Sequence, residues 1–136
     1  MGDNSINYIK EKEFCRKWIS LLERIDSDAS LKNRCLNTKS YSDIDKLTKE
    51  LDFSTFLKEG YESGIVVKDY RSIMPEEYEN IIFNPDDDFI EKLSELEIIA
   101  CIAWHFRCDH FTEGFLLTES FPNGSLLKLF KALLKN

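Results

Sequence analysis

Residues 95–110 read ELEIIACIAWHFRCDH, and the apolar side chains fall on every side of a helical wheel. Leu96, Ile98, Ile99, Cys101, Ile102, Trp104 and Phe106 leave no continuous wet face. A helix of that kind is packed by neighbours on several sides, so it belongs at the centre of a helical fold. Ser94 precedes it and Glu97 follows three residues later, the spacing of a capping box.

The flanking sequence supplies helices to pack around it. Phe14, Trp18, Leu21, Leu22 and Ile25 recur on one helical face, with Asn4 or Ser5 as caps and an end near Asp26. Residues 27–42 are polar and aperiodic and read as a loop. A helix over about 43–50 turns Ile44, Leu47 and Leu51 inward, with Ser42 or Asp43 as its cap. Asp52 or Ser54 then caps a third, carrying Phe53, Phe56, Leu57 and Tyr61. Gly60 weakens that helix, and Gly64 suits the position just past its end. The closing helix spans about 125–134, with Gly124 at its entry.

Between these lie weaker signals. Ile65-Val66-Val67 is β-branched, and Ile81-Ile82-Phe83 is its one candidate partner. One short extended or hairpin segment near 65–83 is therefore the alternative to helix there. Pro75 opens PEEYENI as a short helical turn, and Asn84-Pro85-Asp86 marks a turn. The Asp86-Asp87-Asp88 triplet lacks the spacing, Gly and terminal Glu of an EF-hand loop. It reads as acids favoured at a helix start. GFLLTESF, 114–121, reads as a short helix or compact connection. The expected architecture is all-α: one domain over 1–136, five to seven helices in a bundle around 95–110.

Composition agrees. The chain has 136 residues, 43% hydrophobic, with ten Phe but only five Gly and three Pro. That length buries enough surface to fold without disulfides or metals. No apolar run nears the roughly 20 residues of a membrane helix, and the first residues lack the order of a signal peptide. A cytoplasmic protein with Cys15, Cys35, Cys101 and Cys108 as free thiols is expected. Of the net charge of −7, residues 76–97 carry the whole excess, with nine acids and only Lys92. Such a chain repels phosphate backbones, so direct nucleic-acid binding is not expected. The partner this charge suits is a protein with a basic surface.

The chemistry concentrates in WHFRCDHFTEG, 104–114, which holds both histidines of the chain. His105, Arg107, Asp109, His110 and Glu113 are the candidate binding residues. The two histidines are five residues apart, so on one helix they point about 140° away from each other. Paired zinc ligands on a helix need a spacing of four. A metal would have to use Cys101, His105 and Asp109 instead, and no metal is expected. Cys101 and His105 lie one turn apart, but a nucleophilic cysteine needs partial exposure, which IIACIAW does not offer. No Gly-rich phosphate loop or nucleophile elbow occurs, and no catalytic residue or cofactor is assigned. The leading reading makes the cluster a polar junction, Asp109 pairing with His105 and Arg107 with the last helix carbonyls, Glu113 or an acid of 76–97. Gly114 then reverses the chain.

Arg107, Asp109, His110, Phe111, Glu113 and Gly114, followed by Gly124, Leu126, Leu127, Leu129 and Phe130, form a pattern. It resembles the C-terminal part of an uncharacterised bacterial domain family of unknown function. There an Arg-x-Glu-Arg-Phe-x-Asp-Gly stretch precedes a Gly-x-Leu-Leu helix. The likeness covers about 93–134 and, more loosely, a YxxxxFxxxxYxSG-type region before it. His110 stands where Arg is commoner and Asp109 where Glu is. The resemblance implies a small helical domain and supplies no chemistry. The expected function is a non-enzymatic helical interaction module with an acidic face. The alternatives are a ligand- or metal-binding protein or enzyme using the 105–113 cluster, and an acidic inhibitor that mimics nucleic acid.

Overall fold

Nineteen residues, Ile9–Ser27, form the first helix, α1, and Phe14, Trp18, Leu22 and Ile25 lie buried along it at the spacing the sequence set. The computed structural model describes residues 7–135. The caps expected at Asn4 and Ser5 lie outside the described residues. Then follow α2 (Ala29–Leu36), α3 (Tyr41–Leu51), α4 (Phe53–Ser63), α5 (Tyr70–Ile73), α6 (Glu79–Phe83), α7 (Asp87–Glu91), α8 (Glu95–Phe111) and α9 (Ser125–Lys135). A 3-10 turn covers Glu76–Tyr78 and a π-helical turn Leu116–Ser120. The fold is all-α, and no strand occurs among the described residues.

The count exceeds five to seven because weakly patterned segments also fold as helices. The 27–42 stretch is not a loop: Asp28 accepts the backbone N–H of Leu31 (3.1 Å) and starts α2. Only Leu31 and Cys35 of α2 are buried, and two inward residues one turn apart do not show as a period among polar neighbours. Ser40, not Ser42 or Asp43, caps α3. The 65–83 stretch holds no hairpin. Ile65 and Ile82 are fully buried as core side chains, one in the irregular link after α4 and one in α6. An isolated pair of short strands has no sheet to join and is marginal in water. Asp52 precedes α4, but its side chain makes no capping bond, whereas two other expected caps do form. Ser94 and Glu97 make both bonds of the capping box (3.1 and 2.9 Å), and Asp86 caps α7 through the N–H of Phe89 (2.8 Å).

Helix α8 is the central element: every residue from Ile98 to Phe106 is buried. Phe56 of α4 is the hub of the core. Its ring centroid lies 5.2–6.5 Å from those of Phe14, Trp18, Phe53, Phe106, Phe121 and Phe130. Gly60, one turn on, makes room for this cluster. A Cβ there would sit 2.5 Å from Phe106 Cε2 and 3.1 Å from Phe14 Cζ. Helix propensity alone favours alanine over glycine by about 1 kcal/mol. Overpacking against fixed rings outweighs that, so Gly60→Ala is expected to destabilise the fold by ~1–2 kcal/mol in urea titration. A gain in stability would show that the rings yield.

Candidate functional site

The last turns of α8 carry Arg107, Asp109 and His110, and Glu113 follows. The chain then reverses at Gly114, whose φ of +86° is left-handed and whose Cβ would come 2.9 Å from Ile44. The five candidate residues do not share one site. His105 and Asp109 face the core, Arg107 is half-buried, and His110 and Glu113 are exposed.

His105 is 0% exposed. Its Nε2 lies 2.9 Å from the carbonyl of Ile82, which can only accept, so Nε2 carries the proton. Nδ1 is then the acceptor for the Ser120 hydroxyl, 2.6 Å away. Phe83 stands edge-on at 4.8 Å. Burial drives the imidazole pKa down to about 4 against the opposing effect of the Ile82 carbonyl. The ring is neutral with both nitrogens committed, so it forms neither the expected pair with Asp109 nor one with Cys101. It pins α6 and the π turn to α8.

Asp109 finds a different partner. Its Oδ1 accepts the N–H of Leu116 (2.9 Å), the first residue of the π turn. The reversal at Gly114 brings that amide back over the helix, and a carboxylate satisfies it. Burial raises the Asp109 pKa, and Glu113 adds to the effect. Arg107 is not tied to the last helix carbonyls or to Glu113. Its guanidinium lies over the ring of Phe111 at 5.2 Å.

That position puts Arg107 on the wall of an open depression of about 450 Å³ between α4, the 65–71 segment and the end of α8. Lys68 and Arg71 are the other cations on it, and Tyr61, Tyr70 and Phe111 are its aromatic walls. Arg71 lies over the ring of Trp104 (4.9 Å), whose Nε1 donates to the carbonyl of Met74 (2.8 Å). Arg71 also reaches Glu76 at 3.3 Å, an exposed and therefore weak pair. Among the described residues no carboxylate comes within ion-pair distance of Lys68 or Arg107. Phe111 is 73% exposed. Arg71 and Arg107 also wall a neighbouring hollow of about 140 Å³, which Glu79 shares. The depression can hold an anionic group between guanidinium groups, with apolar parts on the rings and on Val66 and Val67.

Sequence reasoning found Arg107 and missed Lys68, Arg71, Tyr61 and Tyr70. They lie about 40 residues upstream, Tyr61 on the periodic face of α4 and the other three in a stretch without periodicity, and no local spacing links them to α8. Other chemistries find little support in the arrangement. Burial pushes the Cys15 and Cys101 thiols up to about 12, and that of half-buried Cys108 upward. Among the described residues no three His, Cys, Asp or Glu side chains cluster as metal ligands, and no helix is long and apolar enough to cross a membrane.

The chain belongs to a family of unknown function, DUF6508, whose model matches residues 14–136. No curated protein and no solved structure matches it.

Proposed function

We propose that the chain is a non-enzymatic interaction module that takes an acidic segment of a protein partner in the depression between Tyr61 and Phe111. One observation carries this reading. A chain with a net charge of −7 gathers Lys68, Arg71 and Arg107 on a single aromatic-lined surface. Arginine beside exposed aromatic rings is the composition of interface hot spots. Charges beyond a Debye length of about 8 Å are largely screened, so a short segment meets mainly the charges beside the depression, Lys68, Arg71 and Arg107 against the exposed Glu76 that pairs weakly with Arg71. The chain is read as cytoplasmic, with its four free cysteines in keeping, and residues 107–114 as the signature of a bacterial family.

The test is selection of short peptides from two pools, one rich in Asp, Glu and aromatic residues and one rich in Lys and Arg. Acidic peptides are expected to enrich, and Arg71→Glu/Arg107→Glu to weaken the winners by about tenfold or more in fluorescence anisotropy. Equal binding by the variant overturns the proposal. So does a preference for a single-stranded oligonucleotide, which arginine–aromatic surfaces also suit.

A second reading keeps the basic partner, because Glu77, Asp88 and Glu91 of the 76–97 segment are exposed. Enrichment of Lys/Arg peptides, lost on neutralising those three residues, would transfer the function to that face.

A further inference from the structure

On another face, α7 and α9 wall an open groove of about 460 Å³ with Ile90 and Leu93 on its floor. Asp87 and Glu91 line it from α7, and Lys131 and Lys135 from α9. All four are exposed. Among the described residues no ion pair joins the two walls. The groove thus presents one acidic and one basic edge flanking an apolar strip.

We infer that this groove is where a second copy of the chain docks, with α9 of each copy lying along α7 of the other. A partner of one charge sign is attracted by one wall and repelled by the other, so neither a polyanion nor a polycation fits. The occupant must carry both signs in the reversed order. A two-fold axis running along the groove supplies that, since it sets each acidic wall against the other copy's lysines. Ile90 and Leu93 of the two copies then close over each other and lose water. The contact leaves the Arg107 depression free and is independent of the acidic-segment proposal, sharing only Glu91 with the second reading.

Charge-swap complementation of the full chain tests it. Wild type is expected to self-associate in sedimentation velocity as concentration rises. Asp87→Lys/Glu91→Lys sets lysines against lysines, and Lys131→Glu/Lys135→Glu sets acids against acids. Each alone is expected to self-associate at least about tenfold more weakly. Mixed in equal amounts, they should form a heterodimer, because both mismatches become matches. Both variants stay net negative, since each double reversal moves the total of −7 by four units. Bulk attraction therefore does not explain pairing. A wild type that stays monomeric throughout, or a mixture that associates no better than its components, overturns the inference. Circular dichroism of each variant confirms that helicity is retained. If either variant has unfolded, the exposed-wall placement on which the inference rests is wrong.

Discussion

Replacing His105 with leucine is expected to lower the unfolding free energy by ~3–4 kcal/mol at neutral pH. Leucine fills most of the space, so the loss comes from polarity. The Ile82 carbonyl loses its donor and the Ser120 hydroxyl its acceptor, both inside the core. Each buried orphan costs about 1–3 kcal/mol. Removing the hydroxyl as well, in His105→Leu/Ser120→Ala, should recover part of the loss, and a double-mutant cycle measures how much.

The same residue shapes the acid limb of stability. An unfolded histidine titrates near 6.5, whereas folded His105 does so at about 4. Between those values the unfolded chain binds a proton that the native chain refuses, so stability falls as pH falls from about 6.5 to 4. The full drop from this group is ~3 kcal/mol. Asp109 acts with the opposite sign, because its raised pKa favours the fold at low pH and that help fades as pH rises through it. Urea titrations at a series of pH values should show a flatter limb for His105→Leu than for wild type between pH 6.5 and 4. Parallel limbs would mean that the buried imidazole is not the titrating group.

Phe56→Ala is expected to cost ~3–5 kcal/mol. The ring is fully buried and six other rings surround it, from α1, α4, α8, α9 and the segment after the π turn. Truncation leaves a void that no single helix can close, because each neighbour is held by others as well. For a chain of this length the thermal midpoint should fall by roughly 10–15 °C. Phe56→Leu, which keeps most of the volume, should lose less than half as much. If alanine costs under about 1.5 kcal/mol, the cluster relaxes and Phe56 is not its centre.

Parts of the fold were legible because one local cause fixes each. An apolar wheel with a capping box makes α8 a central helix wherever it sits. Repeats of three and four do the same for α1, α4 and α9. Helix α2 escaped because two inward residues do not make a period. The 65–83 stretch escaped because β-branched residues state a weak preference that packing overrides. Gly60 shows the same limit: its local reading was a weakness, yet its lack of a side chain is what admits Phe106.

The polar cluster divides along the same line. Sequence spacing alone separated the two histidines, since a helix turns about 100° per residue whatever surrounds it. Partner choice was beyond it. His105 bonds to Ile82 and Ser120, and Asp109 to Leu116, because the chain folds back and brings their unsatisfied groups close. Likewise the basic depression exists only once α4, the 65–71 segment and α8 converge. The sequence by itself determined an all-α chain, its central helix and the residues that could do chemistry. The tertiary structure decided which of them are buried and which meet solvent together. Helical period and capping act over a few residues, whereas burial and charge neighbours depend on segments tens of residues apart.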